Sequence, residues 1–170
     1  MPRQLLRNGT IVLDDWEELN DAPLPADALG ATPAAAPAVI IGFDRWQRER
    51  QMLTKYAGKL GVKLEPAHKV EDLAADLPHL ALVAANFPGP SDGRGYTQGR
   101  LLRERYGFKG ELRATGYVRH DQVFFLARCG FNALELPEAD LQNASTAFKT
   151  FSAAYQPSND AGLPTRLTGR

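Results

Sequence analysis

The chain has 170 residues, with 20 basic and 20 acidic side chains, and so no net charge. That balance argues against a general nucleic-acid binder, which needs a basic excess to neutralise phosphates. A single cysteine, Cys129, excludes a disulfide framework, and the three histidines, His68, His79 and His120, form no zinc-spaced cluster with it.

No apolar run approaches the roughly 18 residues needed to cross a bilayer. The opening MPRQLLRNGTIVLDDWEEL has no apolar stretch ahead of a small-residue cleavage site. A cytoplasmic protein with no membrane or nucleic-acid partner is expected.

Residues 1–36 read as an N-terminal arm and connector. GTIVL (9–13) has the β-branched apolar content of a short strand. DDWEEL follows, with Trp16 and Leu19 as anchors, and the Pro- and Ala-rich stretch 20–38 lacks any hydrophobic period. An α/β domain is expected over 37–157, and 158–170 reads as a flexible tail.

AVIIGF (38–43) is a continuous apolar run, as a buried parallel strand should be. A helix is predicted over 44–61, with Asp44 as N-cap, an apolar face of Trp46, Met52, Leu53, Tyr56 and Leu60, and Gly61 as its stop. VKLEP (62–66) is a second strand, VEDLAADL (70–77) a short helix ended by Pro78, and LALVAANF (80–87) a third strand. A glycine loop then leads to a helix over about 97–106. GELRATG (110–116) is a strand with Leu112 and Ala114 on one face, HDQVFFLARCG (120–130) a helix, FNALEL (131–136) a strand, and 138–155 a helix.

Strands alternating with helices imply parallel pairing, because a parallel pair needs a crossover. The expected fold is α/β: five to six mostly parallel strands alternating with helices in a single compact domain with an N-terminal arm. Either an open doubly wound sheet or a partial barrel satisfies the pattern, whereas a full eight-unit barrel typically needs about 250 residues.

The segment NFPGPSDGRGYTQ (86–98) lies where a parallel sheet binds ligands, beyond the carboxyl end of a strand. Gly93 and Gly95 can take positive φ and admit an anion to the backbone. Arg94 lies in the loop, and Arg100 and Arg103 sit one turn apart on the following helix. The pattern is neither a Walker loop, since the terminal Gly-Lys-Ser/Thr is absent, nor the dinucleotide fingerprint, since position 98 is Gln. An oxyanion site (phosphate, sulfate, sulfite or carboxylate) is expected at Gly93, Arg94, Gly95, Arg100 and Arg103, with Asn86, Asp92, Tyr96, Asp121 and Gln122 in support. The competing reading is a tight turn whose arginines pair with Asp92, Glu104 or Glu111. Cys129, beside aromatic residues on its helix, reads as a packed, redox-inert thiol.

The stretch DGRGYTQGRLLRERYGFKGELRATG, followed by DQVFFLARCGF, resembles domain of unknown function 934, a bacterial family labelled an oxidoreductase of sulfite reduction. The resemblance runs from about Val39 to Tyr155, and the arm with GTIVLDDW also fits. The family's signature falls on Asp92, Gly93, Arg94, Gly95, Tyr96, Arg100, Leu101, Leu102 and Arg103. It continues on Gly110, Glu111, Leu112, Arg113, Gly116, Asp121, Gln122, Cys129, Gly130 and Phe131. Two positions depart from the family: Tyr117 stands where an Asp is usual, and Asn132 lies where an Asp is favoured.

The resemblance implies an accessory protein of assimilatory sulfate and sulfite reduction, with sulfite reductase or another sulfate-assimilation protein as partner. The chain itself offers no dinucleotide fingerprint, no cysteine set for an iron–sulfur cluster or sirohaem and no Cys-x-x-Cys pair. No cofactor or catalytic residue is therefore assigned. Two other readings stand beside it: a small α/β enzyme acting on a phosphorylated or carboxylated metabolite, and a non-catalytic interaction protein.

Overall fold

A computed structural model describes residues 3–24 and 36–150. Residues 25–35 of the connector, the end of the expected last helix (151–155) and the tail 158–170 lie outside the described residues. Eight strands form one mixed sheet: β1 (Gln4–Arg7), β2 (Thr10–Leu13), β3 (Trp16–Leu19), β4 (Ala38–Gly42), β5 (Leu60–Leu64), β6 (Leu82–Phe87), β7 (Glu111–Gly116) and β8 (Ala133–Leu134). Their order across the sheet is β2-β1-β8-β7-β6-β5-β4-β3. From β3 to β8 every pair is parallel, and β1 joins β8 and β2 antiparallel.

The parallel strands follow one another in chain order, with no reversal of direction across the sheet. Of the two closures open to the sequence, this is the winding of a barrel and not of a doubly wound sheet. The outermost strands β2 and β3 are separated in sequence by Asp14 and Asp15 alone. Leu13 and Trp16 are three Cα steps apart, a reach of about 11 Å. Opposite edges of the sheet are therefore drawn together, and the sheet curls into a half-barrel.

Among the described residues four α-helices pack against the sheet: α1 (Phe43–Leu53), α2 (Arg94–Arg100), α3 (Val123–Arg128) and α4 (Glu138–Thr150). A 3-10 helix spans Val70–His79, α2 runs on as a π-helical turn over Leu101–Arg105, and a 3-10 turn over His120–Gln122 leads into α3. One apolar core holds Trp46, Leu53, Leu73, Leu102, Val123, Leu126 and Leu141 from the helices against Val39, Ile41, Val62, Leu64, Val83, Ala85, Leu112, Ala114 and Leu134 from the strands. These strand residues are in cross-strand register, so they share one face. The helices accordingly pack on a single face of the sheet, which must then be the outside of the curl.

The opposite, concave face carries a small apolar group, Ile40, Leu82 and Ala84 with Trp16 against them, and a buried ionic cluster. Arg113 is completely buried there. Its guanidinium contacts Asp14 twice at 3.0 Å, Glu111 at 2.8 Å and Glu135 at 3.3 Å. Burial alone would pull its pKa down, but Glu111 and Asp14 more than reverse this and hold it above its ordinary value. Asp14 belongs to the two-residue crossover, so one buried arginine ties the closing strand segment to β7. Asp14 also accepts from the Trp16 N–H at 3.2 Å, and its own N–H donates to the Arg3 carbonyl at 2.7 Å.

Several expectations are corrected. The head of the presumed arm supplies three strands, of which GTIVL had been read as one. Among the described residues eight strands replace five to six, and two pairings, β1–β2 and β1–β8, are antiparallel. The first helix ends at Leu53, and Gly61 lies inside β5 and not at a helix stop. Its last turns are lost where Thr54–Lys59 must lead back to the next strand, because apolar spacing alone cannot separate a helix end from a following buried strand.

Candidate functional site

The carboxyl ends of β3, β4 and β5 open onto a cleft of about 320 Å³. In barrel-like α/β folds this is the end that carries ligands, because loops and helix starts converge there. Its walls come from the sheet (Glu18, Gly42, Lys63), from the turns beyond β3 and β5 (Asn20, Asp21, Glu65, His68) and from the first turns of α1 (Phe43, Asp44, Arg45, Arg48).

Lys63 stands on the concave face of β5, opposite Gly42 and Ala84. Its ammonium donates to Glu18 on β3 at 2.8 Å. Glu65 follows β5, and its carboxylate accepts from the Asn86 amide at 2.7 Å. The Glu65 backbone N–H donates to His68 Nδ1 at 2.9 Å, which places the imidazole proton on Nε2, facing Asp44 Oδ1 at 3.3 Å. The same ring lies against Phe43, with centroids 4.6 Å apart. Arg45 is spent internally: it pairs with Glu49 and donates to the carbonyls of Leu19, Asn20 and Ala22. It thereby fixes the turn that carries Asn20 and Asp21.

Gln98 on α2 holds the Glu65–His68 turn from behind. Its Nε2 donates to the carbonyls of Glu65 and His68 at 2.9 and 3.0 Å. Its Oε1 is buried and has no partner among the described residues. A fork from one side chain to two carbonyls of a tight turn fixes where Glu65 and His68 point, as support for a binding shell requires.

The glycine loop lies beyond the next strand, β6, and its arginines are committed elsewhere. Arg94 folds back on Asp92, with Nε at 3.0 Å and Nη2 at 2.5 Å from the carboxylate, and the pair is at the surface. This pairing draws the Asp92 carboxyl below its usual range and raises Arg94. Arg100 pairs with Glu104 at 3.3 Å. Arg103 points the other way and donates to the carbonyls of Gly130, Phe108 and Gly110 at 2.9, 2.5 and 2.9 Å. Burial lowers its pKa.

The expected shared face of Arg100 and Arg103 thus divides between a surface pair and a backbone clamp. The expected positive φ is also absent: Gly93 has φ −91° and Gly95 lies within α2. Packing explains Gly95 and Gly99, since a Cβ at Gly95 would come within 2.5 Å of the Phe87 ring and one at Gly99 would collide with Phe131, whereas Gly93 has room for a Cβ.

Among the supporting residues, Asn86 reaches the cleft through Glu65. Tyr96 packs edge-on to Phe87 at 5.1 Å, its pKa raised by burial, with Gln122 hydrogen-bonded to it. Gln122 also accepts from the Arg119 N–H at 2.8 Å, and Asp121 is exposed beside it. Tyr117 is exposed at the end of β7, and its N–H donates to the Phe87 carbonyl. Asn132 bridges strands by accepting from the Leu112 N–H at 2.8 Å, an architectural use. Cys129 is half-buried against the core, and desolvation pushes its thiol upward.

Of the cleft's residues, Lys63 and Glu65 fall in the expected strand VKLEP, with no role expected for them from sequence. The signal was present: a Lys inside an apolar strand and an acid just beyond it, at the carboxyl end of a parallel strand. Among the described residues no group of three or more His, Cys, Asp and Glu is placed to hold a metal. No described helix is long and apolar enough to cross a membrane.

Residues 61–166 match the family described as bacterial protein of unknown function (DUF934). More than half of the chain lies within that match, which begins at β5 and so takes in Lys63, Glu65 and His68. The chain belongs to this family. No curated protein matches it.

Proposed function

For this member of the family, we propose a role as an accessory protein of assimilatory sulfate and sulfite reduction that holds a small metabolite bearing an anionic group at the mouth of the half-barrel. The sulfur context comes from the family resemblance. The observation that carries the binding site is Lys63 at the carboxyl end of β5, its ammonium on the concave face of the cleft. Arg48, which has no ion-pair partner among the described residues, lines the same cleft from α1. A carboxylate, sulfonate or phosphate group would collect charge-assisted hydrogen bonds from these two cations. The reading moves the anion from the glycine loop to the neighbouring cleft, because Arg94, Arg100 and Arg103 all have partners, whereas the cleft adds to the paired Lys63 a cation, Arg48, with no ion-pair partner among the described residues.

Enzymatic action at the same mouth is the second reading, favoured by His68. Its Nδ1 accepts from a backbone N–H and its Nε2–H faces Asp44, so the ring presents a fixed donor that can hold and polarise an oxygen of a reacting ligand.

A thermal-shift titration with sulfite, sulfate, phosphate and short carboxylates tests the binding claim. A ligand that binds the folded state alone raises the unfolding temperature. At least one of these anions is expected to do so in the native protein and to fail with Lys63→Met. Equal shifts in both proteins, or none in either, contradict it. Deletion of the gene is expected to slow growth on sulfate and leave growth on cysteine unchanged.

A further inference from the structure

Resting on the cleft reading above, we infer that the metabolite held at the half-barrel mouth is a zwitterion, an amino acid or close analogue carrying an ammonium group beside its anionic one. The argument is the charge of the walls. Three cations, Arg45, Arg48 and Lys63, face four carboxylates, Glu18, Asp21, Asp44 and Glu65. The lining is therefore net negative by one charge, and a plain anion entering it meets more carboxylates than cations.

The internal pairing sharpens the mismatch. Arg45 is bound to Glu49 and to three carbonyls, and Lys63 to Glu18. Glu65 receives a hydrogen bond from a neutral donor, the Asn86 amide, and has no cationic partner among the described residues. Asp21 likewise has none. The cleft thus presents Arg48 and the shared Lys63 as cations, and Glu65, Asp21 and Asp44 as carboxylates with no lysine or arginine partner among the described residues.

A ligand with one group of each sign satisfies both sets. Its carboxylate is drawn to Arg48 and Lys63, and its ammonium, with three donors, to Glu65. Asn86 and Gln98 hold Glu65 by side chain and by backbone, so the ammonium subsite is pre-formed and little ordering is needed on binding. A cleft of about 320 Å³ suits a molecule of amino-acid size.

Three matched probes separate the contributions: L-alanine, propionate, which lacks the ammonium, and ethylamine, which lacks the carboxylate. Titrations followed by the backbone resonances of Lys63, Glu65 and His68 should give L-alanine an affinity on the order of ten-fold or more above propionate, the worth of one charge-assisted hydrogen bond. Glu65→Gln keeps an acceptor for Asn86 but removes the charge, and should bring L-alanine down to the level of propionate. If propionate binds as tightly as L-alanine, or if Glu65→Gln leaves their ratio unchanged, the zwitterion inference is wrong and the cleft reading stands. If none of the probes moves those resonances, both fail.

Discussion

Replacing Arg113 by Met should be the most damaging single change on the concave face. The side chain is completely buried and contacts three carboxylates from three parts of the chain: Asp14 in the β2–β3 crossover, Glu111 on β7 and Glu135 after β8. Methionine fills much of the volume, so the principal loss is electrostatic. Removing one partner of a buried pair leaves the other charged and desolvated, which costs about 3–5 kcal/mol. For a chain of this length that corresponds to roughly 6–20 °C in unfolding temperature, at about 2–4 °C per kcal/mol.

The loss should also depend on pH. Desolvation raises the Glu135 pKa in the folded protein, against the opposing pull of Arg3 and Arg113. A carboxyl with a raised folded pKa binds more protons folded than unfolded, so its contribution is fully present below the ordinary glutamate value and is lost as pH rises through the folded pKa. Without Arg113 the folded pKa moves higher still, and the deficit of the variant should grow as pH rises from about 4.3, the free glutamate value, to about 7. Urea unfolding of both proteins across that range, with matching slopes, measures it. A deficit below about 1 kcal/mol, or one that shrinks toward neutral pH, would refute the account of how the crossover is held.

Arg103→Ala removes three donations to carbonyls around the β7 entry and Gly130, and should destabilise by about 2–3 kcal/mol in urea unfolding, close to one strong charged hydrogen bond net. Gly99→Ala should cost about 1–3 kcal/mol despite its better helix propensity, because the added methyl meets the Phe131 ring; a neutral or stabilising outcome would mean that the helix shifts freely. Cys129 should react slowly with a thiol reagent at neutral pH and quickly once unfolded, since burial holds the thiol above its ordinary pKa.

The parallel βα rhythm was legible because apolar runs and helix faces have distinct periods, and the strands from Ala38 to Leu134 lie close to where those periods put them. The strand QLLR was not, because four residues with two charged or polar ends carry too little pattern to distinguish from coil. Nor could sequence show that DDWEEL continues GTIVL across the opening of the sheet, a relation made by pairing Asp14 with Arg113 99 positions away. The loop arginines illustrate the same limit. Their spacing on one helix is local, but whether a guanidinium faces a ligand or a carbonyl is decided by what the fold brings opposite, here Gly130 and Phe108 for Arg103. The cleft was hidden for a related reason, since Glu18 and Lys63 meet only across β4, and Asn86 reaches Glu65 only when β6 pairs with β5.

Complementation of the deletion strain on sulfate, with Lys63→Met and Arg94→Ala compared at equal protein levels, tests the placement of the site most directly. Lys63→Met should fail to restore growth while folding normally, because its partner Glu18 is partly solvated. Arg94→Ala should restore growth, because it breaks a surface pair with Asp92. Restoration by Lys63→Met together with failure of Arg94→Ala would return the site to the glycine loop and contradict the account.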